Sequence, residues 1–385
     1  MASPKIIAVY GATGNQGGSV AKSLLGNKNE FGVRAITRNP ESERSKALAG
    51  RGGTVVKADG FNKEEMTQAF RGAWGGFVNI NSDDKVFTDP NGPTEFDLGK
   101  ILVDSAIEAG VQHLVFSSGP PCTEMTEGKV RMKAMDSEPQ LPRKILVHTA
   151  DESYLFAVKN KIENYVRSLA KFSTASFICP GWYLENFLSK EVAPIFGGFP
   201  HAADPEGYLT FKVPLWGGKE DVPWLSITDD FGDIIQGLFL EPEKWNGSVI
   251  HGLSDIHSFD EVVGGFQEGK RMLLILLPSI SKNWIERWIL IISLLVTGLK
   301  SRYVPLLPSW EAFDTHGIHE LQDVKLMFGF TQITGGRYFG KEPTNGKSAA
   351  ELKEAGARAR GKAGDDLRLI TVNQWFKREF GTAAE

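Results

Sequence analysis

Apolar positions in the first half of the chain fall into short β-branched runs, each followed by a stretch with helical spacing. Lys5–Tyr10 is such a run, and Ser19–Leu25 after it has helical spacing. The alternation repeats through Val33–Arg38, Ser42–Leu48, Thr54–Lys57, Lys63–Phe70, Gly76–Asn81, Leu98–Ala109 (closed by Gly110) and Gln112–Ser118, and a further strand is expected over Ser173–Cys179. Continuous apolar runs separated by helices predict parallel strands buried on both faces and joined by right-handed crossovers. The expected fold is therefore α/β, built on a doubly wound parallel sheet. In the second part, Pro214–Gly218 and Val222–Ile227 read as strands and turns, and Asp229–Leu240 as a helix with acidic residues in its first turn. Residues 341–385 read as a polar tail: Ser348–Lys362 as a solvated helix or flexible segment, and Thr371–Phe380 as a short docking helix.

The first strand empties directly into Gly11-Ala12-Thr13-Gly14-Asn15-Gln16-Gly17. Glycines at this spacing, between a strand and a helix, suit a tight turn, a close approach to a pyrophosphate, and close packing of the helix. Dinucleotide binding follows as the expectation, with Gly11, Thr13, Gly14, Asn15, Gln16 and Gly17 as its cradle. NAD-specific sites end the second strand in Asp or Glu, whereas Thr37-Arg38 stands here. A guanidinium suits a 2′-phosphate, so NADP(H) is the expected cofactor, with NADPH preferred over NADH; the plain alternative is a solvated arginine. Asp59 fits either an acceptor for the adenine amino group or the N-cap of Lys63–Phe70. Asn79 ends the fourth strand beside the expected crevice.

Bulk properties narrow the classes. The chain has 385 residues and a net charge of −4, which argues against nucleic acid as its main partner. Cys122 and Cys179 lie far apart with no metal-ligand spacing, so free thiols in a reducing compartment are expected, and no metal. With no signal peptide ahead of the first strand, a cytoplasmic protein is expected, the nucleus remaining open.

Gly-Ala-Thr-Gly-Asn-Gln-Gly at 11–17, Val-Arg-Ala-Ile-Thr-Arg-Asn-Pro at 33–40 and Pro-Gly-Trp-Tyr-Leu-Glu-Asn-Phe at 180–187 resemble the NmrA-like family of atypical short-chain dehydrogenase/reductases. The resemblance runs to about Gly340. It implies a nucleotide-binding Rossmann domain over residues 1–187 and a smaller C-terminal α/β substrate-side domain over 188–340, with some return to the sheet and a substrate cleft between the two. It also implies either a reductase or a regulator that senses NADP(H) and binds a transcription factor. The partner is then a small-molecule substrate or a regulatory protein. A typical short-chain dehydrogenase places Tyr and Lys four apart on one helix, whereas Tyr154 and Lys159 are five apart. On a helix that spacing diverges by about 140°, which removes Tyr154 as proton donor. The family pattern of Lys, then Glu four later and Tyr six later, is matched by Lys159, Glu163 and Tyr165. It implies that Lys159 hydrogen-bonds the nicotinamide ribose or a substrate carbonyl; the bland alternative is a surface pair with Glu163. Trp182, Tyr183 and Asn186 fall where the nicotinamide end should meet a substrate, although the aromatics could equally cap the core. Glu185 lies in the same stretch. His113 reads as a rim residue rather than a base, and His148 is set aside with Tyr154.

Two stretches, 137–158 and 269–296, look foreign to this pattern, because in the resembling family their flanks join almost directly. Both read back as translated introns. Ser137-Glu138 and Gly269-Lys270 accommodate splice donors, Ala157-Val158 and Leu295-Val296 accommodate acceptors, and removing either interval preserves the frame. Two lineage-specific insertions are the alternative. Sequencing the cDNA decides: most transcripts are expected to lack both intervals, and transcripts that carry both overturn the idea. The second stretch holds two apolar runs split by Lys282, Glu286 and Arg287. Each falls well short of the ~20 apolar residues of a spanning helix, so no membrane association is expected.

Overall fold

A computed structural model describes residues 3–82, 84–89, 91–130, 158–280, 300–318 and 320–381. Seven parallel strands form the central sheet: β1 (Lys5–Tyr10), β2 (Phe31–Thr37), β3 (Thr54–Lys57), β4 (Gly75–Val78), β5 (His113–Ser117), β6 (Thr174–Pro180) and β10 (Val249–Gly252). Their order is β10-β6-β5-β4-β1-β2-β3. The chain reverses direction across the sheet between β1 and β4, and such a switch point opens a crevice at the C-terminal ends of the strands.

One face of the sheet is covered by α1 (Asn15–Leu25) and α7 (Gly232–Leu240), and the other by α3 (Lys63–Phe70), α4 (Glu95–Glu108) and α6 (Val158–Leu169). α2 (Glu43–Gly50) starts at Ser42, whose hydroxyl accepts the Ser45 amide, and adds Leu48 to the α1 face. α4 opens with a reciprocal cap between Thr94 and Asp97.

A second, strongly aromatic core gathers mainly residues after β6. β7 (Trp182–Tyr183), β9 (Val222–Leu225) and β11 (Asp255–His257) form one small sheet, and β8 (Tyr208–Pro214) pairs with β12 (Lys300–Leu306). Against them pack α8 (Phe259–Ile280) and α9 (Glu320–Ile333). Residues 131–157 and 281–299 lie outside the described residues, so most of both foreign-looking stretches does too, and Tyr154 and His148 with them. α8 runs on through Gly269 without a break.

The C-terminal segment is not the solvated tail that its composition suggests. α10 (Lys347–Ala359) lies on α7 with Ala349, Leu352, Lys353, Gly356 and Ala357 buried, and α11 (Val372–Phe380) buries Trp375 and Phe376 in the aromatic core. Glycines bring α7 and α10 into near backbone contact. A Cβ on Gly237 would meet the Leu352 carbonyl oxygen at 2.4 Å, and one on Gly356 the Asp233 carbonyl oxygen at 2.1 Å. Lys353, 3% exposed, sits between the carboxylates of Asp230 and Asp233, 3.0 Å from each. Asp233 also takes Arg360, Lys362 and the Ser23 hydroxyl of α1. Burial alone would raise its pKa, but these partners bring it down to about 2.

Among the described residues no helix is long and apolar enough to cross a membrane, and no cluster of His, Cys, Asp or Glu could hold a metal. Both cysteines are buried, and neither forms a disulfide.

Candidate functional site

The turn between β1 and α1 is built by its glycines. Gly11 has φ +74°, and the Gly14 amide donates to its carbonyl at 2.9 Å. A Cβ on Gly17 would lie 2.2 Å from the Gly11 oxygen, so only glycine lets α1 sit this close to the turn. Gly14 is the N-cap of α1; no side chain caps the helix, and its first turn holds no acidic residue. Unpaired amides and the positive end of the helix dipole therefore point into the crevice, an arrangement that attracts a phosphate.

Thr13, Gly14 and Asn15 of this turn line an open cavity. Asn79 Oδ1 after β4, Ser117 Oγ at the end of β5 and Gln16 Oε1 in the first turn of α1 are buried with no hydrogen-bond partner near the same ends of the strands. The residues present thus fit a dinucleotide.

At the adenosine end, Arg38 follows β2 and is ion-paired with Asp84, 2.7 Å away. Asp59 is not a helix cap: Asn62 caps α3 by accepting the Glu65 amide, while Asp59 accepts the Phe61 amide in a local turn. Half-buried Tyr10 lies among Arg38, Asp59 and Asp84, and desolvation raises its hydroxyl pKa to about 12. Arg44, which the sequence did not single out, donates to the Thr13 carbonyl at 2.8 Å and so adds a cation to the phosphate loop. Its position in the first turn of α2, six residues beyond Arg38, was the available signal. A cavity of about 600 Å³ opens from this loop, with Thr13, Asn15, Arg44, Tyr183 and Asn186 among its walls.

At the other end stands Lys159, in the first turn of α6. Its charge reaches Cys179 near the end of β6, where burial, followed by Glu163, raises the thiol pKa and Lys159 opposes them. The alternative pairing with Glu163 is not made. Glu163 accepts the Ser118 hydroxyl at 2.6 Å and the Arg167 guanidinium at 2.8 Å, which leaves Lys159 without an ion pair among the described residues. Tyr165 turns away and donates to Asp104 of α4 at 2.6 Å.

The stretch after β6 divides by side chain. Trp182 is drawn into the aromatic core, stacked on Trp224 at 5.2 Å and Trp216 at 6.0 Å, so packing rather than the cleft holds it. Tyr183 faces the loop, its hydroxyl accepting from Gln16 Nε2 at 2.7 Å, and Asn186 is exposed at the cavity. Glu185 accepts the Ile227 and Thr228 amides and the Ser226 and Thr228 hydroxyls, clamping this stretch to the helical turn that leads into α7. His113 is buried at the opposite end of the sheet, 2.8 Å from the Thr174 hydroxyl and 4.1 Å from the Trp74 ring. Burial lowers its pKa.

The NmrA-like family model matches residues 3–272. The chain belongs to the NmrA-like family. Two fungal members are similar over nearly the whole length: the NmrA-like family domain-containing oxidoreductase lnaB of Aspergillus flavus, 54% identical over 376 residues, and FrzB of Cladobotryum sp, 54% identical over 380. In both cases 98% of each chain is covered. Among solved structures, NmrA, a negative transcriptional regulator, in complex with NADP superposes with a TM-score of 0.61 at 18% identity, covering 98% of this chain and 96% of that one. The Citrobacter sp. triphenylmethane reductase complexed with NADP(H) gives 0.55 at 16% identity, covering 97% and 99%. These likenesses show the fold and agree with the seven-stranded order above.

Proposed function

We propose that this NmrA-like protein is an NADP(H)-binding oxidoreductase that reduces a small carbonyl or enone substrate. The observation that carries the reading is the uncapped start of α1 against an intact glycine turn, opening on a cavity of about 600 Å³. Two relatives at 54% identity bear the name oxidoreductase, which favours turnover over a purely regulatory role.

When bound, NADPH supplies the hydride. This chain's residues then have separate tasks. Gly11, Gly14 and Gly17 hold the start of α1 open to a pyrophosphate, with Thr13, Asn15 and Gln16 around it. Arg38 and Arg44 supply positive charge for a 2′-phosphate. Asn79 and Ser117 present polar atoms to the ribose and nicotinamide side. Lys159 donates a hydrogen bond to a ribose hydroxyl or to the substrate oxygen, where negative charge develops during reduction. Tyr183 and Asn186 flank the substrate. No Tyr–Lys dyad with the usual spacing of four includes Lys159, so the proton reaches the product from Lys159 or from solvent.

The purified protein is expected to oxidise NADPH when offered a panel of quinones and enones. Lys159→Ala should lower kcat/KM by about tenfold or more. Because Lys159 makes no ion pair among the described residues, its loss should leave the melting temperature where it was. Tight nucleotide binding with no turnover across the panel, together with nucleotide-dependent capture of a protein, would sink the enzymatic reading.

A further inference from the structure

Strand order places Arg38 and Asp84 on either side of the end of β1. Arg38 follows β2 and Asp84 lies in the loop beyond β4, and both strands pair with β1. Tyr10, the last residue of β1, lies between them and feels both charges. Asp84 is the anchored partner of the two. Asp84 Oδ2 holds Arg38 Nη2 at 2.7 Å, while its Oδ1 accepts the Val86 amide and caps the short helical turn Lys85–Thr88. The exposures differ: the Arg38 side chain is 67% exposed, and that of Asp84 is 21%. A guanidinium has five donors, so Arg38 keeps donors for a second anion while a fixed carboxylate stands beside it.

We infer that Asp84 is a specificity-determining residue that holds down the preference for NADP(H) and keeps the site open to NAD(H). The inference rests on the cofactor reading above and concerns only how the two nucleotides are told apart. A 2′-phosphate that reaches Arg38 comes within a few ångströms of the Asp84 carboxylate, and two anions at that range near a protein surface repel strongly. A 2′-hydroxyl meets no such repulsion, and a carboxylate is the group that accepts it in NAD-binding sites. One residue therefore acts with opposite sign on the two nucleotides, while Arg38 acts in favour of NADP(H).

The test is calorimetric titration of the full chain with NADP+ and with NAD+ at low salt, in the wild type and in Asp84→Asn. Asparagine keeps an oxygen for the Val86 amide and removes only the charge. NADP+ should bind about tenfold more tightly to Asp84→Asn, with NAD+ unchanged or weakened by up to about threefold. Adding Arg38→Ala should abolish the NADP+ gain, and Arg38→Ala alone should weaken NADP+ more than NAD+. An affinity ratio that Asp84→Asn leaves within about twofold of wild type, or equal shifts for both nucleotides, overturns the inference and leaves the cofactor reading intact. A wild type that binds neither nucleotide overturns both.

Discussion

Gly17→Ala is expected to destroy dinucleotide binding while its neighbour Gly18→Ala leaves it intact. The Cβ at position 17 would sit 2.2 Å from the Gly11 carbonyl oxygen and 2.6 Å from the carbonyl carbon, both backbone atoms of a turn held by its own hydrogen bond. Neither can yield cheaply, so α1 must tilt away from the turn and its amides lose their aim. Overpacking of this kind costs about 1–3 kcal/mol, and the loss in binding adds to it because the phosphate contacts depend on angle. At Gly18 the nearest atom is 3.4 Å away, an ordinary contact. Calorimetry with NADP+ and a thermal melt on both variants check this. Wild-type affinity in Gly17→Ala would show that close helix packing is not what makes the cradle.

The second large effect is expected far from the crevice, at Lys353. Replacing it with methionine removes the cation between Asp230 and Asp233, which are 0% and 1% exposed. Breaking a buried pair from one side leaves uncompensated charge and costs about 3–5 kcal/mol. Asp233 retains Arg360 and Lys362, so Asp230 bears the greater part of the damage. Urea unfolding should show a midpoint well below that of wild type, and Lys353→Met, Asp230→Asn should recover part of the loss. A midpoint unchanged in Lys353→Met would mean that packing alone holds α10 down.

The alternation of strands and helices was legible because each element announces itself locally: β-branched runs, glycine-closed helices, and the glycine cradle directly after β1. What escaped the sequence depends on contacts between distant segments. The composition of 348–362 is that of a solvated helix, and only one of its buried residues, Leu352, is a large hydrophobe. Its burial comes from small residues that permit backbone contact and from a lysine whose partners lie over a hundred positions away. Asp84 carries no motif; it meets Arg38 only because the sheet places β4 and β2 on either side of β1. Trp182 and Tyr183 are adjacent in one motif, yet successive strand residues point to opposite faces, and so one enters the core while the other meets the phosphate loop. The strand β10, through which the chain returns to the sheet, was not located from the sequence.

Hydrogen bonds from Ser19 and Ser23 tie α1 to the helical segment that begins at Ile227, and α10 covers that segment in turn. The order of synthesis therefore runs against the order of assembly. The ribosome releases the glycine turn early, but the helical segments that brace it, Ile227–Leu240 and Lys347–Ala359, leave much later. A nascent chain carries its nucleotide loop on a half-clad sheet for most of translation. Stalled or prematurely ended products would expose that sheet face, making them substrates for chaperones rather than for cofactor.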